Sequence, residues 1–162
     1  TGVNLGNGGS HTAVQNSTTL FVATGSDQQL SSAIVMGTTN NRISVRNDSD
    51  TASCRVNMAT SIGGAGATTS AGIFTAVSRT GVSAVELFRD GDSIATGTTA
   101  SQTPDDLPIY LGAIRGTNNP SSFAQQRIAC AGIASGLTLT QWRALHAILR
   151  TYLHAVNPSV FA

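Results

Sequence analysis

Ile73-Phe74-Thr75-Ala76-Val77-Ser78-Arg79-Thr80, Gly81-Val82-Ser83, Ala84-Val85-Glu86-Leu87-Phe88-Arg89, Asp90-Gly91-Asp92-Ser93 and Ile94-Ala95-Thr96-Gly97-Thr98 follow one another without a break. The stretch reads as three short strands and two turns. Val85, Leu87 and Arg89 alternate with Glu86 and Phe88, a period of two that suits a strand and not a helix. Gly81 marks the first turn. Asp90-Gly91 marks the second, where a positive φ is easy for Gly and tolerable for Asp.

Working outward, the same punctuation continues in both directions. Thr18–Thr24 predicts a strand closed by Gly25-Ser26-Asp27, and Ser32–Gly37 predicts another closed by Thr38-Thr39-Asn40-Asn41. Arg42–Arg46 alternates, with Ile43 and Val45 on one face. Asn47-Asp48-Ser49-Asp50 is a turn before a strand at Ala52–Ala59, which carries Cys54, Val56 and Met58 on one face. Ser61–Thr69 is Gly- and Ala-rich and reads as a loop. It lacks the Lys-Ser/Thr ending of a phosphate loop. Residues 1–17 read as a loop, with a short edge strand around His11–Val14.

Beyond the meander, Thr99–Pro108 is a polar crossover, and Ile109–Leu111 opens a strand that runs through Ala113 and Ile114. Gly116–Ser122 is a long turn. Phe123–Ile133 ends in the small, apolar run Ala129-Cys130-Ala131-Gly132-Ile133, which places it in a sheet interior. One helix is predicted, at 138–156. Thr138 and Gln141 have capping-box spacing, and Trp142, Leu145, Leu149 and Tyr152, flanked by Ile148 and Val156, make an apolar stripe. Pro158 ends it. Trp142 is read as the anchor of this helix on the sheet.

Composition bounds the rest. The 162 residues suit a single domain, 1–162, with a core of its own. Charged residues are 10% and nearly cancel, to a net charge of +1, which argues against a phosphate-driven nucleic-acid partner. There is no lysine, and Glu86 is the only glutamate. Ser, Thr, Gly and Asn take the surface role that Lys and Glu usually hold. With few strong helix formers, this is the composition of an all-β protein. No apolar run approaches the roughly 18 residues that span a bilayer. Thr1, not Met, opens the sequence and reads as a boundary or a processed end. Cys54 and Cys130 are expected as two free thiols, and with no histidine nearby they do not form a zinc site.

The run from Thr75 to Gly97, then Leu107-Pro108-Ile109-Tyr110-Leu111-Gly112-Ala113, then Gln126-Arg127-Ile128-Ala129, resembles the concanavalin A-like, laminin-G-type jelly rolls. The ending Gly136-Leu137-Thr138, Trp142, Leu145, Tyr152-Leu153 is similar to modules of bacteriophage and prophage fibre or virion proteins. The resemblance implies an antiparallel β-sandwich with one C-terminal α-helix. It implies a virion module, on an extracellular particle surface, that binds a bacterial surface polysaccharide. The alternative it leaves open is a purely structural fibre or capsid-decoration module. Other virion subunits and a homo-oligomer, the trimer being common in phage fibres, are the implied protein partners.

Chemistry narrows this further. Glycoside hydrolases of this fold carry a Glu-x-Asp-x-Glu run, whereas Glu86 has no acidic partner at strand spacing and Asp105-Asp106 would face opposite ways on a strand. His11, His146 and His154 have no Gly-x-Ser-x-Gly elbow to serve. The expectation is therefore a non-enzyme. Asp48/Asp50 and Asp90/Asp92 are read as turn formers, with no metal and no cofactor. Sugar sites on such folds use Asn, Asp and Arg hydrogen bonds at loop rims. The loops with those groups are Asn40, Asn41 and Arg42, and Arg115, Asn118 and Asn119. Tyr110 is the aromatic nearest a rim.

Overall fold

A computed structural model describes residues 3–7, 14–25, 34–46, 51–65, 72–115, 119–124 and 127–161. In chain order the elements are Val3–Asn7 (β1), Thr18–Thr24 (β2), Ile34–Gly37 (β3), Arg42–Arg46 (β4), Thr51–Arg55 (β5), Ile62–Ala65 (β6) and Ile73–Gly81 (β7). Then come Ala84–Arg89 (β8), Asp92–Gly97 (β9), Pro108–Leu111 (β10), Ile114–Arg115 (β11), Pro120–Ser121 (β12), Ile128–Ala134 (β13) and the helix Leu139–Val156 (α1).

The meander is as the sequence predicts. β7, β8 and β9 pair antiparallel, and the Asp90-Gly91 turn takes positive φ at both residues, 46° and 91°. Two antiparallel sheets face each other: β1-β10-β3-β4-β5-β6 and β13-β2-β7-β8-β9. Between them lie Leu20, Val22, Met36, Ile43, Cys54, Val77, Leu87 and Ile109, all fully buried. The alternate residues of β2, β7 and β8 meet a second apolar layer. Ala23, Phe74, Ala76 and Phe88 pack against Trp142, Leu153 and Phe161. A β-sandwich thus has a helix laid on the outside of its five-stranded sheet, and β2 and β7 are buried on both faces.

The capping box forms: the Gln141 N–H donates to Thr138 Oγ1, and the Thr138 N–H donates to Gln141 Oε1 at 2.9 Å. Trp142 anchors the helix, stacked on Phe88 with centroids 5.9 Å apart. Trp142, Leu145 and Leu149 pack on the sheet as expected, whereas Tyr152 is 65% exposed and His146 and Leu153 complete the buried face.

Other expectations need correcting. β1 and β6 are strands where a loop was expected. β1 carries two Asn and a Gly and β6 two Gly, so both are poor in strand formers; both are edges, where the neighbouring strand supplies the pairing. Of the His11–Val14 strand, only Val14 lies within the described residues, and it makes a lone bridge to Ser17. β5 stops at Arg55, short of Ala59. β10 breaks at Gly112, whose φ of 73° interrupts the run into Ile114. β13 is an edge strand, not an interior one. Its small residues answer crowding on its face: a Cβ on Gly132 would come within 2.3 Å of the Phe21 ring. The Asn47–Asp50 turn lies outside the described residues.

Cys54 and Cys130 are not joined in a disulfide. Cys54 belongs to the core between the sheets, and Cys130 packs on the helix side of the five-stranded sheet. A sheet separates them.

Candidate functional site

The β3–β4 turn is built by its own polar side chains. Asp105 receives the Thr38 hydroxyl at 2.7 Å, the Asn40 N–H at 2.7 Å and the Asn40 side-chain amide at 2.6 Å. Asn41 Oδ1 accepts the Asn57 N–H at 2.9 Å, and Asn57 Nδ2 reaches back to the Val14 and Gln15 carbonyls. Asn41 is fully buried, so it presents no surface to a ligand and instead builds the turn. Asn40 is half-buried with its amide committed to Asp105.

The turn also fixes the identity of residue 37. Gly37 has φ +141°, and a Cβ there would stand 2.1 Å from the Asn41 carbonyl oxygen. Only glycine fits. The consequence reaches across the sheet, because Tyr110 pairs with Gly37, Gly37 with Arg42, and Arg42 with Arg55. Ile109, Ile43 and Cys54, their chain neighbours, point into the sandwich core. Tyr110, Arg42 and Arg55 therefore project from the opposite, outer face of the six-stranded sheet. One strand, at Gly37, separates Tyr110 from Arg42. Two strand spacings make the distance about 10 Å.

The two guanidinium groups sit on adjacent strands. Arg55 is held in place by Nε donating to the Ser61 hydroxyl at 2.9 Å and Nη1 to the Thr39 carbonyl at 3.4 Å. Arg42 Nε is buried without a hydrogen-bond acceptor. Burial, and then the like charge of Arg55, push the Arg42 pKa below its usual value, and burial lowers that of Arg55. Among the described residues, neither forms an ion pair. The acid at this end, Asp105, has both oxygens in the turn.

Arg115 and Asn119 are elsewhere. β11 pairs with β12, Gly112 N–H bonds the Val35 carbonyl, and Ile34 N–H bonds the Ser122 carbonyl. That hairpin stands by the first residue of β3, and the Asn40–Arg42 turn by the last, about 10 Å away along the strand. Asn119 is exposed, and Asn118 lies outside the described residues. The two loops do not converge. Of the expected residues, Arg42 alone joins the Tyr110 row. Arg55 was missed, because its place opposite Arg42 depends on the β4–β5 register, which only the hydrophobic alternation of both strands could have suggested.

Solved structures share this architecture. One is a candidate carbohydrate-binding protein from Bacteroides ovatus, 14% identical, with a TM-score of 0.63 over 80% of this chain and 40% of that one. Another is the CBM40 of the Ruminococcus gnavus IT-sialidase bound to α2,3-sialyllactose, 13% identical, with a TM-score of 0.62 over 90% and 96%. A third is domain 4 of AbnA, a GH43 extracellular arabinanase from Geobacillus stearothermophilus, in complex with arabinotriose, 16% identical, with a TM-score of 0.57 over 90% and 72%. What they share with this chain is the β-sandwich. The chain spans about two fifths of the Bacteroides ovatus protein. No protein-family model matches the chain, and no curated protein matches it in sequence.

Proposed function

We propose that this chain is a non-catalytic carbohydrate-binding module whose ligand lies on the outer face of the six-stranded sheet. The observation that carries the reading is the in-register row Tyr110, Gly37, Arg42, Arg55. Tyr110 offers an apolar ring with a polar tip, Gly37 adds no side chain between them, and two guanidinium groups supply N–H donors in fixed forks. Few polar groups placed beside an apolar platform are what a small-ligand site uses for orientation. Support comes from the similar folds of a module bound to sialyllactose and a domain bound to arabinotriose. The finer reading is receptor recognition: a module on a phage-type particle that grips a bacterial surface polysaccharide. It rests on the resemblance of the Gly136–Leu153 ending to modules of bacteriophage and prophage fibre or virion proteins.

The test is a glycan array followed by titration calorimetry on the best hit. Tyr110→Ala is expected to weaken binding at least tenfold, about 1.4 kcal/mol, with unchanged far-ultraviolet circular dichroism. Silence across an array that includes capsular polysaccharides overturns the reading.

A second reading, a purely structural module that joins subunits, draws on another observation. Ile148, Tyr152 and Val156 form an exposed ridge along α1, each about two-thirds exposed. Sedimentation decides it: an oligomer that Tyr152→Ser dissociates, with no glycan bound, favours assembly.

A further inference from the structure

We infer that the sugar held on this face is acidic, its carboxylate or sulfate group lying on the Arg42–Arg55 pair. The inference rests on the carbohydrate reading and adds the ligand's charge to it.

Four observations point the same way. Arg42 and Arg55 are direct cross-strand partners on one face, so their charges repel, and like charges placed opposite each other weaken a sheet. Nothing among the described residues neutralises them: the ion pair found there joins Arg143 to Asp92, on the helix side of the molecule. A chain with only 9 basic residues and a net charge of +1 has two of them side by side. Finally, the pair is prepared. Arg55 is tied to Ser61 and Thr39 through two of its nitrogens and keeps further donors, and Arg42 holds a buried Nε N–H with no acceptor.

An oxyanion answers each of these. It offsets the repulsion and suits the planar fork of a guanidinium, which grips carboxylate and sulfate-type oxygens two at a time. Tyr110, two strands and about 10 Å from Arg42, is then placed for the rest of the same sugar. A neutral sugar would leave the two charges facing each other. The Asp105 carboxylate, with Thr38 and Asn40 bound to both of its oxygens, does not compete for the pair.

The experiment measures calorimetric binding of paired probes to the whole chain: α2,3-sialyllactose, 3′-sulfated lactose and lactose, and trigalacturonate with its methyl ester. At least one acidic probe is expected to bind tenfold or more tighter than its neutral partner. Which of the carboxylate and sulfate arms responds identifies the group. The preference should shrink as salt rises from 20 to 300 mM, since exposed charge pairs are screened. Arg42→Gln and Arg55→Gln should each abolish the preference, and Arg42→Lys should keep part of it. Melting curves accompany each variant, and Arg42→Lys carries the test if Arg55→Gln unfolds. Equal binding of acidic and neutral probes, lost in Tyr110→Ala but untouched by Arg42→Gln, overturns the acidic-ligand inference and leaves the carbohydrate reading standing. Binding of no probe, acidic or neutral, on this face or in the array, overturns both.

Discussion

Arg79 shows what one residue can hold together. It is fully buried, yet no carboxylate meets it among the described residues. Its guanidinium donates to the carbonyls of Val56 at 2.9 Å, Gly81 at 3.2 Å, Val82 at 2.7 Å and Thr99 at 3.1 Å, and touches Met58 sulfur at 3.4 Å. One side chain thus closes the ends of β5, β7 and β9, the same end of the sandwich as the Asn57–Asn41 lock. Burial lowers its pKa without a counter-charge, so its stability comes from the carbonyl dipoles. Arg79→Met is expected to cost about 3 kcal/mol, because several buried carbonyls lose their donor at once. In a chain of this size that is a fall in Tm of roughly 10 °C, checked by calorimetry. None of this was legible in the sequence. A strand arginine facing a polar turn looks the same on paper whether it ends in water or in a cage of carbonyls, and long-range burial alone decides.

At the scale of elements, the sequence was most readable where pattern and turn chemistry agree. Asp90-Gly91 and the alternation around Leu87 specify a hairpin locally, and it is there. The edge strands were illegible for the opposite reason: Ile62-Gly63-Gly64-Ala65 has no strand propensity of its own and is ordered by pairing with β5. The helix lies between these cases. Its start was set by Thr138 and Gln141, and Trp142, Leu145 and Leu149 were read correctly, but Tyr152 was placed where His146 and Leu153 are buried. Trp142, His146, Leu149 and Leu153 follow 3–4 spacing as well as the expected stripe does, and a histidine was not counted as apolar. The difference is measurable. Leu153→Ala should destabilise by about 2–3 kcal/mol, the usual range for a buried leucine, while Tyr152→Ser should stay within about 0.5 kcal/mol. Urea denaturation of the two variants side by side checks it. The candidate site was half-legible in the same sense. Arg42 and Tyr110 stood out by residue type, but the row that joins them is a property of register across four strands.

For the whole molecule, the three layers separate two kinds of chemistry. The outer sheet face carries the cationic row, and the helix layer carries a buried histidine. His146 is 8% exposed, edge-on to Phe74 with centroids 4.8 Å apart, and close to Gly91, where a Cβ would stand 3.1 Å from Nδ1. Its Nε2 is buried with no partner. Burial lowers its pKa, Arg150 lowers it further, and Asp90 and Asp92 pull the other way without prevailing. The neutral ring is therefore the folded form, whereas the unfolded chain takes up a proton near pH 6.5. Above that pH both states are neutral and the contact is undiminished. As pH falls below about 6.5 the unfolded state binds more protons, so stability declines until the pH passes the depressed folded pKa. Melting of the wild type is expected to fall between pH 7.5 and pH 5.5, a window above the carboxylate titrations, and His146→Phe is expected to flatten that slope. The chain has one tryptophan, Trp142, packed between the helix and Phe88, so its emission follows the helix layer directly. A red shift of that emission on acidification, absent in His146→Phe, would locate the loss at the helix–sheet seam; equal slopes in both proteins would assign the acid sensitivity to groups elsewhere in the fold.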